Sequence, residues 1–226
     1  RPRSEPDPLA RRRLDAELVR RGLSPSRQQA QADIAAGRVT VGGAPADKAA
    51  RLVGADEAVV VLGPAPRFVG RGGEKLDAAL VRFAVDVAGR RAYDIGASTG
   101  GFTDCLLQRG AASVVAVDVG YGQLHQRLRT DARVEVRERT NARSLTPGAL
   151  GAAADVLVAD LSFISLRTVL GVLVSLALPG ADLVLLVKPQ FEAGRQEAAR
   201  GKGVITDPII WRRVLSEVAA ALDDLA

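Results

Sequence analysis

Residues 94–103 read D-I-G-A-S-T-G-G-F-T, a glycine-dense turn that completes the apolar run R-A-Y-D-I. A second apolar segment begins at Phe102. This order is typical of a β-strand, a tight turn and the first turn of an α-helix. In a parallel sheet such turns lie at the carboxyl ends of strands, where ligands bind. The stretch therefore predicts a strand-turn-helix unit that could hold a ligand, with a purely structural turn as the alternative.

Downstream of this turn, strand patterns continue to alternate with helix patterns. The apolar runs are S-V-V-A-V-D-V, V-E-V-R-E, D-V-L-V-A-D and D-L-V-L-L-V, with a short helix expected near Leu150 and a longer one around 165–178. Strands that are apolar on both faces indicate a parallel sheet covered by helices on both sides. We predict an α/β, Rossmann-like, doubly wound sheet that is mostly parallel. The polar residues expected at its carboxyl edge include Asp94, Asp118, Asp160 and Lys188.

The first part of the chain follows a different pattern. Helical spacing over 11–22 places Leu14 and Leu18 on one face, and Ser24 is expected to cap a second helix that begins at Pro25. The runs R-V-T-V-G-G and A-V-V-V-L predict strands, the first of which ends in a hairpin turn. The predicted organisation is a disordered arm at 1–10, a small α+β domain at 11–62, a linker at 63–70 and the α/β domain at 71–226.

The basic residues are unevenly distributed along the chain. Residues 1–67 contain 12 Lys or Arg against 8 Asp or Glu, a net charge of +4, whereas residues 68–226 contain 19 against 18, or +1. A basic front on a near-neutral body indicates a module that binds a polyanion, with a solvated arginine-rich face as the alternative. The candidate contacts to the phosphates of such a partner are Arg11, Arg12, Arg13, Arg20, Arg21 and Arg27, with Arg71 in the second domain.

The composition disfavours several classes of protein. Cys105 is the single cysteine, so a disulfide framework is excluded and a reducing cytoplasm is expected. The most apolar stretch, 169–187, is interrupted by Pro179 and Gly180, which leaves pieces shorter than the roughly 20 residues that cross a bilayer. We interpret it as a buried helix followed by a buried strand. We expect no metal, since no Cys, His or acidic cluster has ligand spacing.

The spacing of the glycines discriminates between candidate ligands. A dinucleotide fold uses G-x-G-x-x-G, whereas this turn reads G-A-S-T-G-G from Gly96, with Ser98 where the middle glycine would fall. A phosphate loop is excluded because no lysine follows the glycines. Asp94 at the strand end favours a cationic ligand, and Asp118 is placed to accept hydrogen bonds from a ribose diol. S-adenosylmethionine, a cation without phosphate, meets both requirements.

Lysine is rare in this chain, which makes each lysine informative. Only four of the 31 basic residues are lysine, namely Lys48, Lys75, Lys188 and Lys202. A lysine can give up its proton when it is desolvated or close to another cation, whereas an arginine effectively cannot. Lys188 is expected to end a buried strand, and Asp160 ends the preceding strand, so the two should be neighbours. A surface position is the alternative for each lysine; we favour it for Lys48, leave it open for Lys202 and disfavour it for Lys188.

Six motifs occur in this order: F-V-G-R-G-G-E-K-L, D-I-G-A-S-T-G-G-F-T, V-D-V-G-Y-G-Q-L, E-R-T-N-A-R, A-D-L-S-F-I-S-L and V-K-P-Q-F-E. Together they resemble the TlyA (haemolysin A) family of rRNA methyltransferases, whose catalytic domain is FtsJ-like. The patterns R-L-D-x-x-L, S-R-x-x-A and I-x-x-G-x-V-x-V-x-G resemble the S4-type (alpha-L) RNA-binding module. The resemblance covers nearly the whole chain after residue 10.

The resemblance implies a reaction and a set of residue roles. The reaction is S-adenosylmethionine-dependent 2′-O-methylation of cytidine ribose in rRNA of both ribosomal subunits, by a Lys-Asp-Lys-Glu tetrad. Lys75, Asp160 and Lys188 match its first three members, and the glutamate is expected on a strand beyond Ala226, so we expect a chain truncated at its C-terminus. The implied cofactor-binding residues are Asp94, Gly96, Ala97, Ser98, Gly100, Gly101, Phe102, Asp118, Val119, Thr140, Asn141 and Asp160.

Rival interpretations stay open at this point. The haemolysin label of the family suggests a pore-forming cytolysin, and a loss of catalysis would leave an RNA-binding protein with an inactive methyltransferase domain. An NAD-dependent enzyme is disfavoured by the glycine spacing. Under the favoured interpretation we expect ribosomal RNA or ribosomal subunits as partners, no membrane partner, and a monomeric protein in the cytoplasm.

Overall fold

The chain folds into two compact units. A computed structural model describes residues 11–63, 66–194, 197 and 204–225, and the two units divide between Arg67 and Phe68. The predicted disordered arm and Lys202 lie outside the described residues. Phe68 and Val69, which the sequence analysis assigned to the linker, are buried in the core of the second unit.

The first unit is a small α+β domain, in which two helices pack together beside short antiparallel strands. Its core is centred on Leu14, Leu18, Ile34 and Val39. The elements are β1 (Arg12–Arg13), α1 (Leu14–Arg20), α2 (Arg27–Ala35), β2 (Val39–Val41), β3 (Ala44–Pro45), β4 (Leu52–Val53) and β5 (Val59–Val61). The strands form one sheet in the order β3-β2-β5 and a separate pair, β1-β4.

Helix α2 begins later than the sequence suggested. The cap is Ser26, whose hydroxyl accepts a hydrogen bond from the Gln29 N–H at 3.1 Å, and the first helical residue is Arg27. Ser24 is buried instead, and its hydroxyl donates to the Asp33 carboxylate at 3.2 Å. The prediction of Ser24 as the cap was wrong, because both serines have a suitable side chain and only the tertiary contact with Asp33 distinguishes them.

The second unit is built on a five-stranded parallel sheet in the order β10-β9-β6-β7-β8, which confirms the predicted fold class. The elements are α3 (Gly72–Arg82), β6 (Arg91–Ile95), α4 (Gly101–Gln108), β7 (Ser113–Val117), α5 (Gln126–Arg129), β8 (Val134–Arg137), β9 (Ala154–Ala159), α6 (Leu170–Ser175), β10 (Ala177–Leu185), α7 (Pro189–Glu192) and α8 (Pro208–Asp223). Two 3₁₀ turns lie at Ala142–Ser144 and Leu166–Thr168.

Helices cover both faces of this sheet. Successive residues of β6 point to opposite faces: Ala92 packs with residues of α3 and α4, and Tyr93 packs with residues of α6 and α8. Cys105 is fully buried in α4. The prediction of a helix near Leu150 was wrong, since residues 147–150 form a turn.

Strand β10 differs from the prediction of a buried strand. Pro179 and Gly180 were expected to separate a helix from a strand, but both lie inside β10. The register against β9 shifts between Ala177 and Asp182, and most residues of β10 are half-buried or exposed. Within the described residues β10 is the last strand of the sheet order, next to β9, and a strand with one edge free of ladder hydrogen bonds can accommodate a proline and a bulge.

Substitution Ser26→Ala should destabilise α2 by about 1 kcal/mol, because it leaves the Gln29 N–H without its cap. Amide hydrogen exchange of the α2 residues should accelerate about fivefold. Gln28→Ala is the matched control, since Gln28 is an exposed residue of the same helical turn. Equal exchange rates in the two variants would contradict the assignment of Ser26 as the cap.

Candidate active site

The glycine turn after β6 brings two strand ends into close contact. Gly96 has φ +93°, and a Cβ atom there would lie 2.6 Å from the carbonyl oxygen of Asp160. The Asp160 N–H in turn donates to the Ile95 carbonyl at 3.1 Å. No side chain fits between these strand ends, so the close approach requires glycine at position 96. Ser98 has φ +49°, in the left-handed region that glycine favours, at the position where a dinucleotide fold has its middle glycine.

Asp118 stabilises this turn from the end of β7. Its two carboxylate oxygens accept hydrogen bonds from the N–H groups of Ser98 and Gly120, at 2.8 Å and 2.6 Å. Each carboxylate oxygen has a further lone pair, so Asp118 can also accept a hydrogen bond from a ligand hydroxyl. The sequence predicted a ligand-binding role for Asp118, and it gave no sign of this structural role.

A cleft of about 470 Å³ opens at this edge of the sheet, and its volume is within the range of small-molecule sites. Some of the predicted cofactor-binding residues line it directly: Gly96, Ser98, Asp118, Val119, Thr140, Asn141 and Asp160. The others are buried in or beneath the turn: Asp94, Ala97, Gly100, Gly101 and Phe102.

Asp94 is fully buried beneath the turn. One carboxylate oxygen accepts a hydrogen bond from the Thr103 hydroxyl at 2.6 Å, and within the described residues the other, Oδ1, has no hydrogen-bond partner. Burial raises the pKa of Asp94 to about 7, opposed by the hydrogen bonds of Thr103 and assisted by the charges of Asp160 and Asp118. With a pKa near 7 this group is partly protonated at neutral pH, so the preference for a cationic ligand that the sequence predicted at Asp94 depends on its ionised fraction.

Asp160 and Lys188 meet beside the cleft. β9 and β10 are parallel neighbours, as predicted, and Lys188 Nζ lies 2.5 Å from Asp160 Oδ1. The same ammonium donates a hydrogen bond to the Ser162 hydroxyl at 2.7 Å. Lys188 does not end β10 but lies beyond it, directly before Pro189 at the start of α7. An amine, a carboxylate and a hydroxyl are therefore held together where the cleft opens.

Lys75 is separate from this group. It is exposed in the first turn of α3 and, in the ranges that the structure describes, forms no ion pair. The start of α3 is nevertheless close to the glycine turn, since a Cβ atom on Gly101 would lie 3.0 Å from the Gly73 nitrogen. The structure thus brings Asp160 and Lys188 together, whereas Lys75 lies on a neighbouring element without an ion pair to any described residue.

An aromatic pair marks the rim of the cleft. Phe163 lines the cleft and is 90% exposed, which is unusual for a large apolar side chain. Its φ is +64°, an uncommon backbone conformation for a bulky residue that persists only when the surroundings impose it. The Phe163 and Phe191 rings lie 5.3 Å apart between centres, at an angle of 49°.

Several residues that line the cleft were not among those predicted from sequence. Ser162 and Phe163 follow Asp160 at the end of β9, so their place in A-D-L-S-F-I-S-L was the available signal. Gln123 reaches the cleft from the loop before α5, and its place in V-D-V-G-Y-G-Q-L was the corresponding signal. Other lining residues that were missed are Ile95, Val117, Arg143, Leu161 and Ile164.

In the first unit, two predicted RNA-binding arginines hold a buried carboxylate. Asp15 is fully buried and pairs with Arg13 at 3.1 Å and with Arg27 at 2.9 Å. The hydrogen bond from Arg13 holds the pKa of Asp15 well below its usual range. Both arginine side chains stay about half exposed, at 48% and 58%. Because a guanidinium has five N–H donors, Arg13 and Arg27 can contact a phosphate while Asp15 fixes them.

Glu17 holds a second pair of arginines. It is buried and pairs with Arg20 at 2.5 Å and with Arg21 at 2.7 Å, and the hydrogen bond from Arg20 lowers the pKa of Glu17 to about 2. Arg21 also donates to the carbonyl groups of Gly54 and Glu57 at 2.9 Å and 2.7 Å. Only 19% of the Arg21 side chain is exposed, so Arg21 stabilises the fold.

The remaining predicted RNA contacts differ from one another. Arg11 pairs with Glu57 at 2.5 Å. Arg12 and Arg71 are exposed and form no ion pair among the described residues. The sequence treated these arginines alike, whereas the structure separates free side chains from those that carboxylates already hold.

Comparison with known proteins identifies the family. The FtsJ-like methyltransferase family matches residues 68–225, which is well over half of the chain, and the S4 domain family matches residues 12–59. The chain belongs to the FtsJ-like methyltransferase family. Its methyltransferase domain follows an S4 domain, and the glycine turn, the cleft and the Asp160–Lys188 pair all belong to the methyltransferase domain.

Individual relatives of this FtsJ-like chain are similar over nearly its whole length. The 16S/23S rRNA (cytidine-2′-O)-methyltransferase TlyA of Mycobacterium tuberculosis is 56% identical over 219 residues, or 96% of this chain and 81% of that protein. Hemolysin A of Brachyspira hyodysenteriae is 39% identical, over 94% of this chain and 88% of that protein. A solved structure from Streptococcus thermophilus that bears the name hemolysin aligns with a TM-score of 0.74 and 39% identity, over 96% of this chain and 79% of that chain. The resemblance to the TlyA family is confirmed.

Two further observations concern the described residues only. Among them, no group of three or more His, Cys, Asp or Glu side chains could hold a metal ion. None of the helices in these ranges combines the length and the apolar character that crossing a bilayer requires.

The raised pKa of Asp94 predicts a specific pH dependence of stability. The folded pKa of about 7 exceeds the unfolded value of about 3.9. The stabilisation from protonated Asp94 is therefore fully present below about pH 4 and is lost as the pH rises to about 7. The free energy of unfolding of the wild type, minus that of Asp94→Asn, should fall over this window by at most about 1.4 kcal/mol per pH unit.

Urea denaturation followed by the fluorescence of Trp211, the single tryptophan, measures this difference in the methyltransferase domain. Asparagine keeps a carbonyl oxygen to accept from Thr103 and cannot titrate, so contributions from the other acids cancel between the two proteins. A difference that stays constant from pH 4 to pH 8 would contradict the assignment.

Proposed function

We propose that this chain transfers a methyl group from S-adenosylmethionine to the 2′-hydroxyl of a cytidine in ribosomal RNA. The observation that carries the proposal is the Lys188 ammonium, held 2.5 Å from Asp160 beside a cleft that Asp160 and Asp118 line. Membership of the FtsJ-like family supports methyl transfer. The name of the Mycobacterium tuberculosis relative supports the choice of cytidine 2′-oxygen in 16S and 23S rRNA.

The residues of the cleft fit S-adenosylmethionine. Asp118 and Asp160 line it, and the buried Asp94 beneath the turn has one carboxylate oxygen without a partner among the described residues. A cation with a ribose diol and no phosphate suits such an acidic site, whereas a pyrophosphate would be repelled. Asp118 would hold the ribose diol, the glycine turn the methionine portion, and Thr140 and Asn141 the adenine.

The chain supplies a base and a means to orient it. A ribose hydroxyl is a weak nucleophile at neutral pH, so the site must remove its proton. Lys188, once its ammonium group has released a proton to solvent, would accept the ribose proton at Nζ as a neutral amine, and Asp160 and Ser162 hold this nitrogen in place. Lys75 would stabilise the negative charge that develops on the oxygen. S-adenosylmethionine supplies an already activated methyl group, so proximity and orientation are the largest contributions of the protein.

Arg139, an arginine near the cleft, is positioned to bind a phosphate. Arg139 has φ +54°, and its guanidinium carbon lies 4.4 Å from the centre of the exposed Tyr121 ring. The backbone N–H of Arg139 donates to the Gly120 carbonyl at 3.1 Å, and this hydrogen bond links the loops after β7 and β8. Arg137 pairs with Glu135, whereas Arg139 has no ion pair among the described residues. A guanidinium stacked on an aromatic ring presents its N–H edge to solvent, where an RNA phosphate can bind.

Phe163 suits the base of the target nucleotide. An enzyme that reacts with one nucleotide of a structured RNA gains access when that nucleotide is turned out of its helix. The exposed Phe163 ring offers a face for stacking, an interaction worth about 1–3 kcal/mol per base. The Phe191 ring packs against it in a tilted arrangement, with 5.3 Å between the ring centres.

The S4 domain would contribute binding to the RNA backbone. Arg12, Arg13, Arg20 and Arg27 keep exposed guanidinium groups, and such contacts give salt-sensitive affinity with little sequence preference. Ribosomal subunits as substrate place the reaction in the cytoplasm. A monomer remains our prediction.

Lys188→Ala should abolish methyl transfer, because it removes the group that takes the proton from the ribose hydroxyl. Affinity for S-adenosylmethionine should change little, since Lys188 does not line the cleft. Transfer of labelled methyl groups to isolated ribosomal subunits and isothermal titration with the cofactor measure the two quantities. Lys48→Ala, an exposed lysine of the S4 domain, is the matched control.

A Lys188→Ala protein that methylates at the wild-type rate would refute the role of Lys188. Cofactor binding by a wild-type chain that transfers no methyl group would instead favour an RNA-binding protein with an inactive methyltransferase domain. Absence of cofactor binding in the wild type would refute the proposed cofactor.

Arg139→Ala should weaken binding to ribosomal subunits by losing one phosphate contact. The dependence of the logarithm of affinity on the logarithm of salt concentration should become less steep by about one. Filter binding between 50 and 200 mM salt, roughly the range where such contacts dominate, measures the slope. Arg137→Ala is the control, since Arg137 belongs to the same strand end but pairs with Glu135. Equal slopes for both variants would contradict a phosphate contact at Arg139.

A further inference from the structure

Two segments border the cleft where β9 and β10 end: residues 160–166 and residues 188–192. We call them the rim segments. They touch at successive places, first at the Asp160–Lys188 ion pair and then at the aromatic pair described above. A further contact is made by Glu192, the last residue of α7.

Both carboxylate oxygens of Glu192 accept hydrogen bonds from the opposite rim segment. It is 6% exposed; Oε2 accepts from the Ser165 hydroxyl at 2.6 Å, and Oε1 accepts from the Leu166 N–H at 2.5 Å. Leu166 begins a 3₁₀ turn that the side chain of Ser165 does not cap, so Glu192 supplies the missing acceptor from outside. Arg167 completes the contact by donating to the Glu192 carbonyl at 2.8 Å.

A buried carboxylate is a costly way to fill this space. An apolar side chain would pack there without the desolvation penalty of a charge. In compensation, two short charge-assisted hydrogen bonds fix both the distance and the direction between the rim segments. Lys188 and Phe191 precede Glu192 within one short turn of chain, so the position of Glu192 constrains both.

We infer that Glu192 is a positioning residue for the methyl transfer: it fixes the two rim segments and thereby sets Lys188 against Asp160 and Phe163 beside the cleft. The chemical part of this inference rests on the proposed function, whereas its geometric part concerns the rim segments alone. Glu192 does not line the cleft, so it acts through Lys188 and Phe163.

The test uses Glu192→Ala and the isosteric Glu192→Gln, with Glu217→Gln as the matched control. The Glu192 carboxylate lies 3.5 Å from the Arg167 guanidinium, and Glu217 binds the same guanidinium at 3.0 Å. Among the described residues, the ion pairs of Glu217 are with Arg167 and Arg213, neither of which belongs to a rim segment. Two readouts are measured on the whole chain. One is kcat and KM for methyl transfer to ribosomal subunits, and the other is the NMR resonance of the Lys188 ε-carbon in ¹³C-lysine-labelled protein, which contains only four lysines.

Glu192→Ala should lower kcat about 10- to 100-fold, because a base displaced by about 1 Å loses this much, and should leave KM within about twofold. The Lys188 resonance should move. Glu192→Gln keeps an acceptor for the Leu166 N–H and should give intermediate values. Glu217→Gln should match the wild type in both readouts.

The lysine resonance separates failure of this inference from failure of the proposed function. A wild type without methyl transfer would remove the proposed function, yet a moved Lys188 resonance in the Glu192 variants would still support the positioning role. Unchanged kcat and an unchanged resonance in folded Glu192→Ala, with folding checked by Trp211 fluorescence, would overturn the inference. If Glu192→Ala does not fold, wild-type values of both readouts in Glu192→Gln would overturn it in the same way.

Discussion

The Asp160 carbonyl oxygen occupies the space that a side chain at position 96 would need, and the geometry of the sheet edge depends on this contact. It lets the ends of β6 and β9 approach as closely as backbone allows. The N–H groups of Gly96 and Ala97 meanwhile donate to the Val117 carbonyl at 2.8 Å and 3.0 Å, which joins the same turn to the end of β7. The carboxylates of Asp118 and Asp160 are thus delivered to a single cleft by backbone contacts, before any ligand contributes.

Much of this arrangement could be predicted from sequence because it follows from strand order. Apolar runs that alternate with helical spacing require a parallel sheet, and the carboxyl ends of parallel strands share one edge. To predict that Asp160 and Lys188 lie close together, it was enough to infer that their two strands are neighbours. Features that depend on tertiary surroundings were not predictable. The choice of Ser26 over Ser24 as a cap depends on Asp33, and the exposure of Phe163 depends on a left-handed backbone that no local pattern announces.

The arginine-rich composition shows the same limit. From sequence, every exposed arginine is a potential phosphate contact. In the structure, Asp15 and Glu17 are buried acids that hold several of these side chains, so the carboxylates determine which donors remain available. Arg21 is used almost entirely within the fold, whereas Arg139 is held by an aromatic ring that leaves its donors unpaired among the described residues. Net charge therefore indicates the class of partner, and ion pairing decides where that partner makes contact.

The buried carboxyl group of Asp94 has a consequence for how a ligand enters the site. A group with a pKa of about 7 is divided between its acid and its anion at neutral pH. A cation that binds above the glycine turn favours the anion, so ligand uptake and proton release become a single thermodynamic event. The protein then exchanges the proton on Asp94 for the charge of the ligand. While the cleft is empty, the protonated carboxyl group places no uncompensated negative charge in the interior beneath the turn.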